Sequence, residues 1–165
     1  MPLLNRIQFQ KYLDAGLHLR NEGFGSVVLL VCAIGARFSD DKRVLLEGSE
    51  SWHTSGWKWF QHVQTGRQML DLSPPTLFDV QVPSVSVPTL DQWTLLRGVQ
   101  LAAVYLYGSP TPHAASVLTA YGLRLAMDLG AHKRRVYKQF PNTEDELLKR
   151  AFWYIYLSAL FQVRR

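Results

Sequence analysis

The stretch FGSVVLLVCAIGARF, residues 24–38, constrains the fold more than any other part of the chain. Its central run, VVLLVCAIGA, has no polar face to offer water, so other elements must enclose whatever it forms. The length favours a buried helix, although the β-branched residues are also compatible with a buried strand. Ser39, Asp40 and Asp41 then stop it. The run is far below the roughly 20 residues of a membrane helix, and MPLLNRIQFQKYLDAGLHLR lacks the apolar core of a signal peptide. A soluble intracellular protein with no membrane contact is the expectation. Cys32, inside the run, is expected to be a buried, inert thiol. As a lone cysteine it allows neither an internal disulfide nor a cysteine-built zinc site.

Helical spacing recurs on both sides of this run, and the expected fold class is all-α. Leu3, Ile7, Leu13 and Leu17 lie near one helical face, with Gly16 weakening its second half. Residues 41–55 are polar and read as a loop. WKWFQHVQTGRQMLDL resumes helical spacing at Trp59, Phe60, Val63 and Leu70. Trp52, Trp57, Trp59 and Phe60 could stack a ligand or a base, but aromatics beside a helical face belong more naturally to a core. Pro74 and Pro75 signal another start. VPSVSVPTLDQWTLLRG, residues 82–98, reads as irregular because Pro83 and Pro88 interrupt it. Apolar character returns from Val99. HAASVLTAYGLRLAMDLG then places Ala114, Leu118, Tyr121 and Leu125 at helical spacing and ends on Gly130, in the helix-stopping position.

The last helix carries the most local signals. Thr143 can cap it, with Glu146 in the capping-box position. Asp145 and Glu146 precede Lys149 and Arg150 by four residues, the favourable order for pairs worth roughly 0.2–0.5 kcal/mol each. Leu147, Leu148, Ala151, Phe152, Ile155, Ala159 and Leu160 form a wide apolar face that needs partners.

Catalytic chemistry finds no support. His18, His53, His62, His113 and His132 are widely separated, and no nucleophile elbow, phosphate loop or dinucleotide fingerprint is present. Asp40 and Asp41 are too few ligands for a calcium or magnesium site. The chain carries a formal +5 at pH 7 with only 19% charged residues. Its one basic concentration, His132, Lys133, Arg134, Arg135 and nearby Lys138, lacks the interleaved aromatics or glycines of a nucleic-acid footprint. It could touch phosphate or act as part of a short nuclear-import signal, but a solvated loop is the favoured reading, because the cations follow a helix C-terminus, where positive charge is mildly stabilising.

YGLRLAMDLGAHK, residues 121–133, resembles the "G-A/I-R-L-A-x-D-L-G-x-H-R" motif of the fungal-specific transcription factor domain. This is the middle homology region of zinc-binuclear-cluster regulators, also called the xylanolytic activator regulatory domain. ELLKRAFW, residues 146–153, follows at the right distance and is similar to "E-x-x-R-R-x-F-W". FGSVVLLVCAIGARFSDD, SWHTSGWKWFQHVQ, LSPPTLFDVQ and LAAVYLYGSPTPHAA resemble further pieces of the same family in the correct order.

The resemblance implies a multi-helix regulatory domain with no enzymatic activity, working in the nucleus by a conformational or effector-driven switch. It singles out Arg124, Asp128, Gly130, His132, Glu146, Arg150 and Trp153 as structural motif residues. Asp128 or His132 is expected to pair across the joint with Arg150 or Glu146. The family's zinc ions and DNA contacts belong to a six-cysteine module that this sequence does not contain, so no cofactor is expected here. A protein partner, a second copy or a small-molecule effector are the remaining partner classes. Residues 157–160 lack the family's "L-D-R", from which a domain incomplete on its C-terminal side is expected, and residues 82–98 read as an insertion. A stand-alone interaction module without DNA binding is the alternative function.

Overall fold

A computed structural model describes residues 3–63, 89–109, 112–134, 137 and 143–163. Six α-helices and no strand occur among them: α1 (Arg6–Asp14), α2 (Glu22–Ala36), α3 (Trp57–Phe60), α4 (Thr89–Tyr107), α5 (Pro112–Asp128) and α6 (Thr143–Val163). The all-α expectation holds.

Local chemistry starts and stops these helices where it is strongest. Asn5 accepts from the amides of Ile7 and Gln8 at 3.0 and 3.2 Å, and Asn21 accepts from Phe24 at 2.8 Å, so each caps a helix N-terminus. Gly16 adopts φ 68° after α1 and hands the chain to a 3₁₀ turn, Leu17–Leu19. The anticipated face is kept in part: Leu3 packs against the core and Leu13 and Leu17 are half-buried. Ile7 is 83% exposed, whereas Phe9 and Tyr12 pack on Phe24 at ring distances of 5.6 and 5.9 Å.

Helix α2 buries one stripe rather than its whole circumference: Ser26, Val27, Leu30, Ala33 and Ala36. Cys32 lies off that stripe and is exposed, which corrects the expectation of a buried thiol. The physical reason is that neighbours approach α2 from limited directions, principally α4, α3 and the 3₁₀ turn after α1.

The loop of residues 41–55 is a loop as expected, with 3₁₀ turns at Lys42–Val44 and Trp52–Thr54. It is stapled under α2 and α4. The Ser55 hydroxyl donates to the Ala36 carbonyl at 2.8 Å, and the Tyr105 hydroxyl donates to the Ser55 carbonyl at 2.9 Å. Trp57, Trp59 and Phe60 pack in or against the core, Phe60 stacking on Tyr105 at 4.7 Å, while Trp52 is exposed. The expected helical spacing does not carry through Val63, because the helix stops at Phe60 and residues 61–62 form a turn; its continuation to Leu70 and the Pro74–Pro75 start lie outside the described residues.

Helix α4 is the axis of the molecule, touching α2, α5 and α6. It begins at Thr89, directly after Pro88, so residues 89–98 are helical rather than irregular. Their register also matters: Leu96 is fully buried. Proline disrupts a helix from inside but is well tolerated just before it starts. The remainder of the suspected insertion, residues 82–88, lies outside the described residues.

Two apolar clusters share α4. The larger joins α2, α3, α4 and the start of α5 through residues such as Leu30, Phe60, Tyr105 and Leu118. The smaller holds α6 against α4 and α5 through Leu96, Ala126, Ala131, Leu148, Ala151 and Ile155. Gly122 of α5 lies against Val99 of α4 and Ile155 of α6. A Cβ there would lie 2.7 Å from Ile155 Cδ1 and 3.0 Å from Val99 Cγ1, so only glycine fits without movement.

Candidate functional site

The motif residues converge on the joint between α5 and α6. Helix α5 ends in a Schellman arrangement: Ala131 N–H donates to the Ala126 carbonyl and Gly130 N–H to the Met127 carbonyl, both at 2.9 Å. Gly130 adopts φ 72°, the left-handed conformation this closure requires. Ala131 is thereby buried in the smaller core, while His132, Lys133 and Arg134 face solvent. Arg135 and Lys138 lie outside the described residues.

Tyr137 ties the joint together. Its hydroxyl donates to the Ala131 carbonyl, and Lys149 of α6 sits over its ring with the ammonium 5.2 Å from the centroid. Burial, followed by the negative charge of Asp145, raises the phenol above its ordinary pKa, because both disfavour the phenolate.

The anticipated ion pairs across the joint are replaced by pairs within helices. Asp128 accepts from Arg124 Nε at 3.0 Å, four residues earlier on α5. Glu146 accepts from Lys149 at 2.9 Å, three residues later on α6. Neighbours on one helix need no ordering of the intervening loop to meet, so they outcompete a partner across it. His132 is exposed, Arg150 is half-buried, and Trp153 is exposed beside Phe152 and Tyr156, with ring distances of 5.8 Å to each.

Three further features escaped the sequence reading. Gln100, fully buried, donates from Nε2 to the Ala151 carbonyl, while its Oε1 is buried without a partner among the described residues. A polar residue inside VQLAAVYLY was the available signal. Tyr107 Oη and Thr119 Oγ1 lie 3.1 Å apart, and Gln162 donates to both, binding the ends of α4 and α6 to the middle of α5. Finally, the Arg37 guanidinium lies 4.4 Å above the Tyr105 ring, with Nε and Nη2 buried and unpartnered among the described residues. Burial raises the Tyr105 pKa, an effect the Arg37 charge partly offsets.

Among the described residues, no group of three His, Cys, Asp or Glu side chains could hold a metal ion, and no helix is long and apolar enough to cross a membrane. The exposed loop contains one strongly shifted carboxyl: hydrogen bonds from Arg43 hold Asp41 at a pKa of about 2. That is an exposed ion pair in a 3₁₀ turn, not an acid–base device.

The family model described as the fungal specific transcription factor domain matches residues 1–161. No curated protein and no solved structure matches the chain significantly.

Proposed function

Because the chain belongs to the fungal specific transcription factor domain family, we propose that it is the regulatory domain of a nuclear zinc-cluster transcription factor, acting as a conformational switch. The family is one of transcription factors rather than enzymes. DNA contact is assigned to a zinc-cluster module outside these residues, and the chain controls that module's output through protein contacts or a small effector.

One observation carries the reading: α6 rests on its own small core, joined to the rest through α4 and α5. Its buried polar link, Gln100 to Ala151, leaves one acceptor unsatisfied among the described residues. A partly satisfied buried amide stabilises one packing less firmly than an apolar seam does, which keeps an alternative packing within a few kcal/mol. Switching by shear of one helix against two others fits that arrangement.

The test is a reporter assay. The chain is inserted between a heterologous DNA-binding module and an activation segment, with and without Gln100→Leu. Reporter output is expected to change on insertion and to change again with the substitution. Output equal to that of the fusion without the chain would sink the proposal. A second reading, an interaction module independent of DNA, is favoured by the exposed apolar residues Trp153, Tyr156, Leu157, Leu160 and Phe161 on one face of α6.

A further inference from the structure

Arg37 carries two buried donors that nothing among the described residues meets. A guanidinium keeps its charge wherever it is placed, and burying one is costly unless it is paired and hydrogen-bonded. Its Nε and Nη2 are buried without a hydrogen-bond partner among the described residues. The nearest carboxyls in sequence do not serve: Asp40 is exposed, and Asp41 is bound to Arg43. The surroundings favour a cation without engaging those two donors. The Tyr105 ring centre lies 4.4 Å from the guanidinium carbon, Arg37 is the C-cap of α2, and its Nη1 reaches Gly108 just past α4.

We infer that Arg37 anchors a binding site for the carboxylate of a small organic acid. Nε and Nη2 form the side of the guanidinium whose two parallel N–H groups match the two oxygens of a carboxylate. The Tyr105 ring covers one face of the group, so the ligand meets it edge-on. A chloride ion has a single centre and does not reproduce that two-point fit.

Gly108 provides the approach. It is exposed, and a Cβ at that position would overlap Nη1, so the guanidinium takes the space of a side chain beside exposed backbone. A turn of the guanidinium toward that edge presents Nε and Nη2 to the ligand. The site joins the C-terminal ends of α2 and α4, so its occupation biases how those two helices pack. In that role it rests on the effector-driven switch proposed above, and it gives the effector a chemical class.

Thermal unfolding of the full chain in sodium acetate and in sodium succinate, against sodium chloride at matched ionic strength, tests this. A saturable rise in Tm is expected with at least one of the two acids and not with chloride, by about 3–6 °C at ten times the Kd. Arg37→Lys keeps the charge but loses the paired N–H groups, and should weaken the response at least tenfold. Arg37→Met fills the space without a charge, so it should fold and should not respond. Circular dichroism of each variant shows that folding is retained. No saturable rise with either acid overturns the inference, as does an equal rise in Arg37→Met. Binding is read directly here, so its failure leaves the reporter test of the switch standing, and a failed reporter test leaves the binding site intact.

Discussion

The side-chain amide of Gln100 donates to the carbonyl of Ala151 inside the smaller core, joining α4 to α6 across 51 residues of sequence. Its other polar atom, Oε1, is buried without a partner among the described residues. One bond gained and one acceptor stranded nearly cancel, since a net hydrogen bond is worth about 1 kcal/mol and an unsatisfied buried group costs about 1–3 kcal/mol.

Gln100→Leu should therefore leave stability unchanged or raise it by about 1 kcal/mol. Gln100→Ala should lower it by about 2–3 kcal/mol, because it also opens a cavity. Urea unfolding of the two variants checks this, and equal losses would show that the amide bond dominates.

Gly122→Ala should destabilise the chain by about 1 kcal/mol, because the overpacking cost of about 1–3 kcal/mol exceeds the gain in helix propensity. The new methyl would crowd Ile155 Cδ1 most closely. Ile155→Val removes that atom, so the double variant should lose less than the sum of the single losses. A double-mutant cycle by thermal unfolding reads the coupling.

At the joint, Tyr137→Phe should cost about 1 kcal/mol through the lost bond to Ala131. Asp128→Ala should cost no more than about 0.5 kcal/mol, the worth of an exposed pair one turn apart. Comparing melting temperatures of the two variants ranks the contributions. A larger loss from Asp128→Ala would restore that residue as the organiser of the joint.

Alkaline stability should follow the buried phenols. Tyr105, Tyr137 and Tyr154 all have pKa values raised above 10.0, mainly by burial. A raised folded-state pKa means that the native state holds its proton more tightly than the unfolded chain. This contribution is complete below the unfolded value and is lost as pH rises through the folded one. Denaturant unfolding should show no tyrosine-linked loss below about pH 9 and falling stability above about pH 10. Tyr105→Phe should flatten that fall. An unchanged slope would assign the alkaline loss elsewhere.

Much of the architecture was legible before any coordinates. The helical identity of residues 24–36, the stop at Gly130 and the start of α6 follow from local signals: the length of an apolar run, a glycine that tolerates positive φ, and acidic residues near a helix start. The motif residues 121–133 and 146–153 do flank one joint. What holds that joint was not legible, because Tyr137 sits in a basic loop with no periodicity to mark it. Residues 89–98 are helical against expectation because Pro88 stands just ahead of the helix, where it interrupts nothing.

The sequence alone determined most of the helical segments, α2, α5 and α6 among them, and which of their residues are apolar, because both depend on neighbours within a few positions along the chain. The tertiary structure decided which apolar residues are covered. Cys32 and Leu30 share one apolar run, yet only Leu30 faces α2's neighbours. Ile155 and Leu157 share one helix, yet only Ile155 meets Gly122 and the smaller core. A helix has surface on every side, and burial is available only on the sides that other elements reach.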